Sequence, residues 1–195
     1  MTVESEIEAG KRLANWIGDQ IDGLSLPSDL RTRVAAGFLH VALTHHASII
    51  HLYDCQRYAS AFALVRPAID CFLRAWWVKL IATDEQVDGF LKGNDPPSSP
   101  RIASVLEQRG LFKERLKTVV DEVWAIVCDF THGGGRMISR HMQADSVGPV
   151  FEEEELREVL GAANSWAMLA ACSLADLSGD AELGERMVGR SEELN

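Results

Sequence analysis

The sequence predicts an all-α protein, an antiparallel up-and-down bundle of four to five main helices with short accessory helices between them. Three observations carry that prediction. Apolar residues recur three or four apart through long stretches, and no stretch alternates apolar and polar as a half-buried strand would. The breaks between these stretches are short, which makes successive helices antiparallel neighbours. The chain has 195 residues, 47% of them hydrophobic, enough to bury one sizeable core. No repeat or linker divides it, so a single domain is expected, with a polar, partly ordered tail from residue 179.

The first helix is expected over 3–22, with Ile7, Leu13, Trp16, Ile17 and Ile21 toward the core, ended by the stretch Gly23 to Pro27. Ser28 is expected to cap the second, which runs to about Cys55 on a stripe of Val34, Phe38, Val41, Ile49 and Leu52. The third, over 57–82, aligns Tyr58, Phe62, Val65, Ile69, Phe72, Trp76 and Leu80. Pro67 lies inside it, removing a backbone donor, and is expected to bend it and free a carbonyl. Short helices at 84–92 and 101–109 flank the loop from Gly93 to Pro100. The segment 111–130 repeats the helical pattern through Phe112, Leu116, Val119, Val123, Val127 and Phe130 until Gly133, Gly134 and Gly135 stop it. A short helix restarts at Arg136. The last long helix opens on Glu152 to Glu155, whose carboxylates complement an N-terminal dipole. Its apolar face is Leu156, Val159, Leu160, Ala163, Trp166, Ala170 and Leu177; at most one more short helix follows.

A net charge of -10 and a pI near 5.0 exclude a broad basic face of the kind that holds nucleic acid or anionic membrane, which needs clustered lysine and arginine. A local basic cleft remains compatible with that balance. The oily run from Ala59 to Ala82 carries Arg66, Asp70, Arg74 and Lys79, charges too costly in lipid for a membrane span. The N-terminus shows no secretory pattern. Cys55, Cys71, Cys128 and Cys172 are scattered without a Cys-x-x-Cys pair, as suits reduced, buried thiols. A cytoplasmic protein without a membrane partner is expected.

Two constellations interrupt the helical pattern with chemistry. In Asp129-Phe-Thr-His132-Gly-Gly-Gly-Arg136-Met-Ile-Ser-Arg140-His141, a histidine follows a helix end, three glycines permit close backbone approach, and two arginines stand one turn apart. Guanidinium forks suit phosphate or carboxylate, and histidine exchanges protons near neutral pH. The same stretch reads equally as a glycine-rich helix stop with solvated arginines. Arg66, Asp70 and Arg74, four residues apart, form one stripe of the third helix, either an ion ladder pinning neighbouring helices or a site wall with an arginine for an anion. His40, His45, His46 and His51 crowd the second helix, and only His46, near Tyr53, is kept as a site neighbour. No Glu-x-x-His or His-Glu-x-x-His occurs, so neither a metal nor another cofactor is expected.

The helix Ser60-Ala-Phe-Ala-Leu-Val-Arg66-Pro67-Ala-Ile-Asp70 and the downstream Phe130-Thr-His132-Gly-Gly resemble uncharacterised bacterial branches of the HEPN-like all-α superfamily. The resemblance spans the second helix through the last, on short motifs. It implies a dimeric helical bundle and, for many members, metal-independent ribonuclease activity in toxin–antitoxin, phage-defence or RNA-processing systems. The superfamily's hallmark is an arginine followed after four to six residues by a histidine. Arg136 and His141 meet that spacing, although Met137 stands where a polar residue is usual; His132 has no arginine at that distance upstream. The resemblance therefore implies either Arg136 and His141 as the pair, or a site rebuilt around His132 with Arg66 or Arg74, or lost catalysis. The expected cleft comprises Arg66, Asp70, Arg74, His132, Arg136 and His141, with Arg140 and His46 as further binding residues and, if the protein is an enzyme, RNA as substrate. The rival expectation is a non-catalytic module that binds a cognate protein or a small ligand, in keeping with the acidic charge and five tryptophans.

Overall fold

The computed structural model describes residues 2–110 and 115–193, and its secondary structure among those residues is helical throughout, with no strand. Five long helices make the body: α1 (Val3–Ile21), α2 (Leu30–Asp54), α3 (Tyr58–Leu80), α6 (Leu116–His132) and α8 (Glu153–Ser178). Four shorter ones, α4 (Asp84–Leu91), α5 (Ser99–Gln108), α7 (Gly135–Ser139) and α9 (Ala181–Glu193), complete the described chain. The expected all-α bundle is what forms. α2 packs along α3 and α8, α3 also meets α5 and α6, and α1 lies on α8.

Local chemistry sets the helix starts. Thr2 caps α1 by accepting the Ser5 N–H, and Thr83 with Gln86 closes a reciprocal capping box on α4. Asp29, not the expected Ser28, caps α2: its carboxylate accepts the Thr32 N–H at 2.9 Å. That backbone bond holds the Asp29 carboxyl below its ordinary range. Gly133 and Gly179 end α6 and α8 with positive φ.

The core runs along α2, α3 and α8. Alanines at 35, 36 and 42 let α3 approach α2 closely, while Phe62 carries an aromatic cluster with Tyr53, Phe130 and Phe151. Tyr53 is fully buried and donates its hydroxyl proton to the Leu156 carbonyl at 2.8 Å, joining α2 to the start of α8.

The inward face of α2 differs from the expected stripe. Leu39, Leu43, His46, Ile50 and Tyr53 are buried, whereas Val41 is 44% exposed and Val34, Phe38 and Leu52 only line the core edge. Leu80 and Val119, expected inside, are also exposed, and on α3 it is Trp77 that is buried while Trp76 is partly so. Helices apolar around most of their circumference leave the inward direction to their neighbours. Phe112 lies outside the described residues. The polar tail has more structure than expected: α9 buries Leu183 and Met187 completely and donates from Arg186 Nε to Gln20 Oε1 at 2.8 Å.

Candidate functional site

Pro67 starts the geometry of the site. Its ring nitrogen has no proton, so the Ala63 carbonyl four residues earlier loses its helical partner. The Thr131 hydroxyl takes that place, 3.3 Å from the Ala63 carbonyl and 2.7 Å from its own Val127 carbonyl. One proton serves both acceptors, and the last turn of α6 is drawn onto the middle of α3. His132 follows at once, as the final residue of α6 and not beyond its end.

There Arg66 Nη1 donates to His132 Nε2 in a short hydrogen bond. A guanidinium has no lone pair to offer, so the imidazole Nε2 accepts and the ring proton sits on Nδ1. His132 is exposed; Arg66 is mostly covered, its guanidinium 5.3 Å from the Trp124 ring centroid and its Nε 3.7 Å from Asp70 Oδ2. The buried Ser99 hydroxyl, in the first turn of α5, donates to the other Asp70 oxygen. A row of polar side chains thus runs from Ser99 through Asp70 and Arg66 to a solvent-facing histidine. Arg74, the remaining member of the stripe, does not join it; its Nε is buried with no hydrogen-bond partner among the described residues.

The glycine triplet divides its labour. Only Gly133 has positive φ, 66°. Gly134 has ordinary dihedrals, but a Cβ there would overlap the Asp129 carboxylate. That carboxylate accepts the Met137 N–H at 3.1 Å and so starts α7. Arg136 then projects from α7 with no side-chain hydrogen bond or ion pair among the described residues. Arg140 is engaged instead, its Nε and Nη2 forming a two-pronged pair with Glu155 at 2.7 and 2.9 Å. Hydrogen bonding to Glu155 raises the Arg140 pKa above its ordinary value.

Arg136, Arg140, Glu155 and Glu158 edge a cavity of about 410 Å³. Its walls are apolar, Val65 and Ile69 from α3, Val127 and Phe130 from α6, Val159 and Trp166 from α8. His141 does not line this cavity and makes no side-chain hydrogen bond to Arg136; its ring packs in a T-shape with that of Phe151, centroids 5.7 Å apart. Of the expected cleft residues, Arg66, Asp70 and His132 meet at the α3–α6 junction, Arg136 and Arg140 line the cavity, and His141 packs against Phe151.

His46 does not line the cavity but shares a small void with Val65 and Trp166 of its walls. It is 3% exposed between α2 and α8, donating from Nε2 to Asn164 Oδ1 at 2.8 Å, and burial depresses its pKa against the opposing effect of that bond. Burial likewise pushes the Cys71 thiol up to about 11. All four cysteines are unpaired. Among the described residues no three His, Cys, Asp or Glu side chains gather to hold a metal ion, and no helix is long and apolar enough to cross a membrane.

Sequence reasoning did not pick out Ser99, Trp124, Thr131 or Glu155. Each acts through a contact with a residue of another element, Ser99 with Asp70, Trp124 with Arg66, Thr131 with the Ala63 carbonyl and Glu155 with Arg140, and only Pro67, through the carbonyl it frees, gave a local hint that a partner is needed there.

A family model described as a family of unknown function (DUF6988) matches residues 39–194. The chain belongs to this family. The matched DUF6988 region starts within α2 and contains Arg66, Asp70, Ser99, His132 and every cavity residue named above. No curated protein and no solved structure matches the chain.

Proposed function

We propose that this DUF6988 protein is a metal-independent ribonuclease whose reacting groups are Arg66 and His132. The observation that carries the reading is the direct hydrogen bond between them, which joins an arginine and an exposed histidine 66 residues apart in sequence. The resemblance to HEPN-like ribonucleases supports it, with the arginine drawn from α3 in place of the motif position.

The chemistry follows from the donors present. A phosphate oxygen entering the junction competes for Arg66, whose fork suits it better than a single imidazole nitrogen does. His132 Nε2 is then free to take the proton from a ribose 2′-hydroxyl as that oxygen attacks phosphorus. The bond to the 5′-oxygen breaks, solvent supplies the leaving oxygen's proton, and Arg66 stabilises the charge on the phosphate. Asp70 and Ser99 hold Arg66 and exchange no proton with substrate. An intracellular toxin–antitoxin or phage-defence role, as a homodimer, fits such an activity.

The test is cleavage of total cellular RNA by purified protein in EDTA. Wild type is expected to cleave, and His132→Ala and Arg66→Ala to lose roughly a hundredfold or more of the rate, while His141→Ala keeps it. Absence of cleavage by folded wild type overturns the reading. Loss in His141→Ala with retention in His132→Ala would move the catalytic pair to Arg136 and His141.

One observation favours a second reading, a non-catalytic module for a protein partner. The loop after α7 turns Met142 and Val147 outward at 67% and 88% exposure, beside exposed Ile138 and Val150. Apolar side chains held together in water are typical of an interaction surface. Light scattering on wild type and Val147→Asp tests the surface: a dimer converted to monomer shows the loop to be a contact, and together with absent RNA cleavage by folded wild type it favours this reading over the first.

A further inference from the structure

The cavity beside α7 is lined by neither Arg66 nor His132, and its walls are the outer side of the core, Val65, Ile69, Val127, Phe130 and Trp166. At about 410 Å³ it falls within the range of pockets that enclose small organic ligands, roughly 300 to 1,000 Å³. Its interior is valine, isoleucine and aromatic, with Trp166 from α8 and Phe130 and Val127 from α6 among the lining residues. Apart from the four charged residues and the Trp166 indole N–H the lining is apolar, so the body of an occupant must be largely apolar.

The mouth supplies the head-group preference. Arg140 and Glu155 neutralise one another through two hydrogen bonds. Arg136 has no such partner among the described residues, and neither has Glu158, the fourth charged group there. These two do not compete equally. Guanidinium is the more weakly hydrated ion and presents a fork that matches a carboxylate, so it loses less on leaving water for a bound ligand.

We propose that this cavity binds an amphipathic organic anion, a medium-chain carboxylate with its hydrocarbon body among Val127, Phe130, Val159 and Trp166 and its carboxylate on Arg136. The inference is independent of the ribonuclease reading, since its readout is binding in the absence of RNA. Arg136 takes the head group, Arg140 stays locked on Glu155, and chain length sets affinity through burial in the interior.

Calorimetric titration of the full chain with octanoate, decanoate, decanol and decyltrimethylammonium tests it. Decanoate is expected to bind more tightly than octanoate, by up to roughly fourfold for each added methylene that is buried. Decanol and the quaternary amine are expected to bind more weakly than decanoate. Arg136→Gln should weaken decanoate by about tenfold or more, the loss of one charge-assisted contact, and Glu158→Gln should tighten it. Ala162→Trp, at an exposed position on the cavity edge, should block binding while circular dichroism shows the fold intact. No decanoate binding by wild type overturns the proposal. So does equal affinity for decanol, a preference for the amine, or binding that survives Ala162→Trp.

Discussion

At the scale of single residues, two of the buried polar side chains of α2 show how environment decides a role. Tyr53 satisfies its hydroxyl on the Leu156 carbonyl and becomes a structural tie. His46 satisfies one nitrogen on Asn164 and remains a desolvated imidazole with a depressed pKa. The unfolded chain restores that ring to its ordinary value near 6.5. Below that pH the unfolded state binds the proton more readily than the folded one, so stability is complete above about 6.5 and declines as pH falls. His45, also depressed by burial, adds to the same slope. Urea unfolding from pH 7.5 down to 5 should show this decline, and His46→Gln should flatten it. A slope unchanged by the substitution would mean other groups carry the effect.

The elements meet through a few specific joints. The α6–α7 turn depends on two glycines for different reasons, one for its dihedrals and one for the space Asp129 occupies. Gly133→Ala should cost about 1 kcal/mol through the left-handed backbone alone. Gly134→Ala should cost a comparable amount in wild type but nearly nothing in an Asp129→Ala background, where the overlap is already gone. Additive losses in that double-variant series would show that the carboxylate is not what Gly134 accommodates. The α3–α6 joint depends on the Thr131 hydroxyl replacing the proton that Pro67 lacks. Thr131→Val keeps the shape and removes the donor, with an expected loss of about 1 kcal/mol in urea unfolding. Helix periodicity made α1, α3, α6 and α8 legible, because a 3.6-residue stripe needs no knowledge of the partner. Which stripe of α2 faces inward was not legible, since its alanines and histidines are ranked only by what α3 and α8 press against them.

For the whole molecule, charge is the governing quantity. A chain of -10 repels a polyanion over much of its surface, so the RNA substrate proposed above would have to reach the Arg66–His132 junction against the long-range field. Screening weakens that repulsion more than it weakens the partly covered Arg66 contact. Cleavage is therefore expected to hold steady or rise as salt increases from roughly 0.05 to 0.15 M, the reverse of a nuclease that relies on a basic face. A steep fall over that range would show that a basic surface outside Arg66 drives binding.

The sequence by itself determined the helical class, the approximate reach of most helices and the residues worth inspecting, because each of these rests on spacing within one element. It marked Arg66, Asp70, His132 and Arg136, since charge inside an oily helix and glycines after one are local signals. Only the tertiary structure decided that Arg66 reaches His132, that Arg140 is taken by Glu155, and that His141 stands against Phe151. Those pairings depend on which helix faces are pressed together, a property of the packed bundle that no single stretch of chain contains.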